Sequence, residues 1–292
     1  MLDIWIILMP LFRWMFYPAM LLAVGGVGFA LLMRPWMPAD IAQYLRRVTS
    51  RAGLAALLLG LAQVPVAAGA LGGDLASAVD PVLLTLVLDT PAGLSALVAS
   101  GGLALLLVIE RVPAAVPVVI RVIPPVLVIL SMTLVGHATS RGMLTGMLLA
   151  LHLAGIGFWL AALLPLRRMC GGPMDGGGAA HLASLAEEFG RLALVLVAML
   201  VVAGLCYASL LLGSVAALFT SAYGQVLLIK ITLVTGILGL AAVNKFRLVP
   251  ALHGEATLAA SKLRRSIEME MGLAALVFLA TSLLTTSLPL PM

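Results

Sequence analysis

The sequence predicts an all-α, polytopic integral membrane protein: one transmembrane domain of eight helices with both termini on the same face. Apolar residues make up 63% of the 292-residue chain and charged residues only 10%, whereas an ordinary soluble domain carries about a quarter charged. The mean hydropathy of +1.19 agrees. Apolar runs of about 20 residues, long enough to cross a ~30 Å hydrocarbon layer, recur from one end of the chain to the other.

These runs place spans near 14–33, 53–71, 92–109, 122–138, 143–166, 192–213, 225–244 and 271–288. The first reads as a retained span, because its basic cluster, Arg34 to Arg51, follows it and no A-x-A cleavage site closes it. Residues 1–121 then form an N-terminal three-helix part and residues 122–292 a five-helix part. Pro65 in span 2 and Pro124-Pro125 in span 4 remove backbone donors and predict kinks. Gly25, Gly26 and Gly28 in span 1, with Gly236 and Gly239 in span 7, predict close helix contacts. The glycines of the 171–178 linker follow no strand and precede no Lys-Ser/Thr, which excludes a phosphate-binding loop. No enzymatic activity is expected.

Charge sets the orientation. Arg34, Arg46, Arg47, Arg51, Arg111, Arg121, Arg167, Arg168, Arg191, Lys245, Arg247, Lys262, Arg264 and Arg265 all fall at one end of the spans. The opposite loops hold Arg141 and the acidic Asp74, Asp80 and Asp89. The positive-inside rule therefore puts both termini outside. It also explains a pI near 9.7 without a polyanionic partner, so nucleic acid is excluded and the lipid bilayer is the expected surrounding. Cys170 lies in a Gly-rich loop and Cys206 mid-span, which argues against a disulfide between them.

Two histidines stand out, since imidazole inside a bilayer points to function. His137 closes span 4 on the outer face, and His152 lies about nine residues into span 5, roughly 13 Å below that face at ~1.5 Å per residue. His152, Gly155 and Trp159 share a helix face, as do Met143 and Met147; Met132 belongs to the preceding span. Neutral imidazole and thioether suit copper, Cu(I) above all, where carboxylates would suit Mg²⁺, Ca²⁺ or Mn²⁺. The candidate metal ligands are His137 and His152, with Met143, Met147 and Met132 as weaker ones. The bland alternatives stay open: histidine as a hydrogen-bonding link between helices, and methionine as packing.

Lys230 lies about six residues into span 7, where its ammonium either reaches the headgroups or acts at the mouth of a pathway. Asn244, Lys245 and Arg247 end span 7 at the inner side and Glu268 and Glu270 begin span 8, so pairing between these neighbouring helices is expected.

The chain resembles the copper resistance protein D (CopD) family of bacterial inner-membrane proteins. The resemblance runs through Gly136-His137, Leu151-His152 to Trp159, Phe189-Gly190-Arg191-Leu192 and the run from Tyr223 to Lys230. It continues with the runs from Asn244 to Pro250 and from Arg264 to Glu270, and covers residues 130–290. It implies copper movement across the inner membrane alongside a periplasmic copper carrier of the CopC type, in copper resistance or supply. Relatives often carry a histidine shortly after the arginine of the first helix, where this chain reads Arg13-Trp14-Met15-Phe16-Tyr17. The expected direction is periplasm to cytoplasm, because the histidines open outward. Two other readings remain: a haem or redox protein using the intramembrane histidines, and a copper-binding partner of the carrier that moves no metal.

Overall fold

The computed structural model describes residues 4–112, 116–135, 142–175, 177–212 and 215–287, and every regular element among them is helical. In order these are α1 (Trp5–Leu32), α2 (Ala39–Gly72), α3 (Pro81–Leu88), α4 (Pro91–Arg111), α5 (Val118–Met132), α6 (Met143–Cys170) and α7 (Gly178–Leu212). The short α8 (Val215–Thr220), α9 (Ala222–Val243) and α10 (Ala256–Thr286) follow, and a π-helical turn, Asn244–Leu248, carries α9 on to Ala251. Seven of these helices are long and apolar enough to cross a membrane: α1, α2, α4, α6, α7, α9 and α10. The fourth expected span corresponds to α5, whose 15 residues reach only about 22 Å. Residues 136–138 of that expected span lie outside the described residues.

Local chemistry starts the helices where the sequence offers a cap. Asp80 accepts from the backbone N–H groups of Val82 and Leu83 ahead of Pro81 at the first position of α3. Thr90 accepts from Gly93 at the start of α4, and Ser221 from Gly224 at the start of α9. Between α2 and α3, the backbone N–H of Ser77 donates to Asp74. Hydrogen bonding from Ser77, side chain first and then backbone, holds that exposed carboxylate below its ordinary range.

α1 is the central helix. Half of its most apolar stretch is buried inside the chain, against 11% for α7 and 6% for α9, whose remaining apolar surface faces outward. α1 packs along α2, α5, α6 and α10. Its closest approach is to α6, where a Cβ at Gly25 would run into the backbone carbonyl of Gly157. A Cβ at Gly26 would meet the Thr49 hydroxyl of α2. Gly28 and Gly239, by contrast, have open space where a Cβ would stand, so they permit no close contact.

Three helices begin about four turns before their apolar spans do: α2 at Ala39, α7 at Gly178 and α10 at Ala256. A hydropathy window stops where charge begins, but amphipathic spacing continues the helix. Ile41 and Leu45, Leu182, Leu185 and Ala186, and Ala259, Ala260, Leu263 and Ile267 all point into one apolar cluster at the basic end. A second cluster, around Phe16, Met20, Leu103, Leu106, Val128 and Phe278, fills the middle of the bundle. Trp159 and Leu160 touch both.

Candidate functional site

The site is built on α6, an apolar helix interrupted by two polar side chains on one face. His152 and Trp159 are seven residues apart, two turns and ~10 Å along the axis. Glycines seat this helix: Gly157 lies against α1, and Gly155 against Leu196 and Leu200 of α7. The turns that carry His152 and Trp159 are thereby fixed between neighbours rather than left on a lipid-facing surface.

His152 is half-buried, and its Nδ1 has no hydrogen-bond partner. An imidazole nitrogen left this way costs about 1–3 kcal/mol unless something binds it. Lys230, half-buried on α9, is near enough to act on His152 electrostatically.

The other candidates are dispersed. His137 lies outside the described residues. Met132 is partly buried against the middle cluster at the end of α5. Met143 is 83% and Met147 61% exposed, and on a helix the step from Met147 to His152 turns about 140°, that from Met143 about 180°. The structure does not bring these two methionines to His152. Met15 is likewise 39% exposed, on the outside of α1. No group of three or more His, Cys, Asp or Glu side chains converges among the described residues. No disulfide joins Cys170, which is buried, to Cys206, which is exposed.

Two turns from His152 toward the basic end is a second polar point. The Asn244 amide, first residue of the π-helical turn, donates to the Glu270 carboxylate of α10, and the Trp159 indole lies close enough to act on the same group. Beyond it Phe29, Phe158 and Phe189 stack with ring centroids 5.3, 6.2 and 6.1 Å apart, closing α1, α6 and α7 together.

The expected pairing of the last two spans is realised only at Asn244 and Glu270. Glu268 instead pairs with Arg167 of α6 at 2.8 Å and with Arg264, one turn back on its own helix, at 3.2 Å. Lys245 donates to the carbonyl oxygen of Gly190 at 2.8 Å, an approach opened by the missing side chain there. Sequence reasoning placed Glu270 among the inner charges but missed its contact with Trp159. The available signal was the seven-residue spacing of Trp159 from His152.

Fold and site together define a multi-pass helical membrane protein with a sparse line of half-buried polar side chains along α6. Residues 1–147 match the family described as copper resistance protein D-like, N-terminal domain, and residues 183–284 match copper resistance protein D. The chain belongs to the copper resistance protein D family, and its role lies in copper resistance. The match over the first 147 residues extends the likeness well beyond the region in which it is visible by eye. No curated protein and no solved structure gives a significant match.

Proposed function

We propose that this protein moves copper across the bacterial inner membrane, from periplasm to cytoplasm, receiving it from a periplasmic carrier of the CopC type. In this reading it is a single transmembrane domain. Residues 1–121 form a three-helix part and residues 122–292 a five-helix part, with α5 belonging to an eighth span. The basic end is cytoplasmic and both termini are periplasmic, in keeping with the charge asymmetry. Copper is cargo, and no enzymatic step is involved.

The observation that carries the reading is His152: a buried imidazole nitrogen without a partner, in a chain of a copper resistance family. His137 is its expected companion at the periplasmic mouth, and Met132 the thioether-bearing candidate on a neighbouring helix. Met143 and Met147 remain as an entry surface only, since they face away from His152. Cu(I) is the favoured state for such a nitrogen and sulfur set.

Radiocopper uptake into proteoliposomes, with Cu(I) offered at the histidine-bearing face, tests this. Uptake by the wild type that is lost in His152→Ala supports transport through the site. The proximity of the Lys230 cation to His152 favours a second reading, a receiver that holds copper without moving it. Binding without uptake would select that one. A haem band in the absorbance spectrum of the purified protein would replace both.

A further inference from the structure

Glu270 is the one buried Asp, Glu, Lys, Arg or His side chain among the described residues, 2% exposed. It stands near the middle of α10, ~21 Å from Ala256 and ~24 Å from Thr286 along the axis. The Asn244 amide donates to its carboxylate, and the Trp159 indole lies close by. Two oxygens beside it have no hydrogen-bond partner: Asn244 Oδ1, and the hydroxyl of Ser266, itself 4% exposed and one turn back on the same face of α10. Asn244 opens a π-helical turn, a distortion that concentrates at functional sites.

The charged and titratable groups on the surrounding elements do not neutralise Glu270. On α9 and its π turn, the Lys245 ammonium is bonded to Gly190, neither Arg247 nor Lys230 forms an ion pair with Glu270, and Tyr223 stands at the opposite end of α9. On α6, Arg167 is paired with Glu268, Arg168 lies over the Tyr44 ring, Cys170 is beyond them at the helix end, and His152 is two turns away from Trp159. On α1, Arg13 and Tyr17 are bonded to Thr285, at the far end of α10. On α10 itself Arg264 is paired with Glu268, and Lys262 and Arg265 form no ion pair with Glu270.

An ionised carboxylate without a cation, removed from water, is costly, and adding a proton removes that charge. The protonated acid would also supply the donor that the unpartnered oxygens lack. A metal or alkali cation fits less well, because the Asn244 N–H donor already points at the carboxylate and would face the ion. We propose that Glu270, framed by Asn244, Trp159 and Ser266, is a buried proton-binding site at the inner end of the spans. An O–H bond forms at one carboxylate oxygen as a hydronium ion gives up its proton, and breaks when water takes it back; no electron moves. Its use, coupling a proton to copper movement, rests on the transport reading above, but the site does not.

The test is an infrared pH titration of the full-length protein in lipid, without copper. The expected result is a protonated-carboxyl C=O band that grows as pH falls, disappears in Glu270→Gln, and persists in Glu268→Gln. If Glu270→Gln does not fold, Asn244→Ala serves, and the same band must shift in position as its hydrogen bond is lost. A titration unchanged in these variants overturns the proposal, as does a band that ignores pH. A band displaced by sodium at fixed pH assigns the site to a hard cation instead. Because copper is absent, failure here leaves the flux result intact, and failed flux leaves the titration intact.

Discussion

At the basic end of the molecule, α2, α7 and α10 run on past their apolar spans and bury Leu45, Leu182, Leu185, Leu263 and Ile267 together. Charged side chains pair around that cluster, Glu268 with Arg167 and Arg264, Glu188 with Arg191, and Glu187 with His253. In the middle of the bundle, His152 Nδ1, Thr49 Oγ1 and Ser100 Oγ are buried without any partner. The first region is built largely as a soluble domain is built, apolar inside with paired charge outside, and its buried oxygens without a partner, Asn244 Oδ1 and the Ser266 hydroxyl, stand beside Glu270 where it meets the middle. The second leaves polar atoms open where water cannot reach them, which stability alone does not favour. The difference separates a region that holds the helices together from one that has kept groups for another purpose.

The largest effect should come from the contact both regions depend on. Gly25→Val would force α1 off α6 at Gly157, since backbone rather than a movable side chain stands in the way. Overpacking of this kind costs about 3 kcal/mol or more. A clear fall in the thermal unfolding temperature of the protein in detergent is expected, with low yield. Wild-type stability in this variant would mean that the two helices are not in backbone contact, and the seat of His152 would be lost with them.

His152→Ala sharpens the comparison. If the middle region is functional, the variant should lose copper affinity by tenfold or more, about 1.4 kcal/mol. Its thermal stability should stay within roughly 0.5 kcal/mol of the wild type, because an unsatisfied nitrogen is removed along with the ring. Copper titration and thermal unfolding on the same preparation read both. A large stability loss with unchanged affinity would make His152 a structural link between helices, and the two regions would no longer differ in kind.

Glu268→Gln is the counterpart at the basic end. Both of its ion pairs involve half-exposed side chains, and such pairs contribute about 0–1 kcal/mol, less in high salt. A small loss of stability that shrinks with added salt, with copper affinity unchanged, is expected. A loss of copper binding would extend the functional region through Arg167 into the basic end.

The division between the regions was only partly legible in the sequence. Hydrophobic length located seven of the long helices, and basic residues marked one end, because both depend on composition along the chain alone. The four-turn extensions of α2, α7 and α10 were missed because charges such as Arg46, Arg191 and Arg264 interrupt hydropathy without interrupting the 3.6-residue period. The Gly25 contact was anticipated, but the same reasoning marked Gly28 and Gly239, which touch nothing. A small residue permits an approach and does not specify a partner. Glu268 was matched with the wrong helix for a related reason: chain order makes α9 the neighbour of α10, while packing also brings α6 and its Arg167 there.

The smallest effect is expected at Met143 and Met147, and it tests how narrow the middle region is. Their shared face was visible in the sequence, and so was the ~140° turn between Met147 and His152; only the second fact bears on whether they share a ligand. With both side chains largely exposed, the double substitution Met143→Leu and Met147→Leu keeps apolar volume and removes both sulfurs. Copper affinity within twofold of the wild type, measured by titration, would confine the buried site to His152 and whatever joins it from the neighbouring helices. A tenfold loss would require α6 to rotate so that its methionine face turns inward, and the Gly155 and Gly157 contacts that now fix the helix would have to be given up with it.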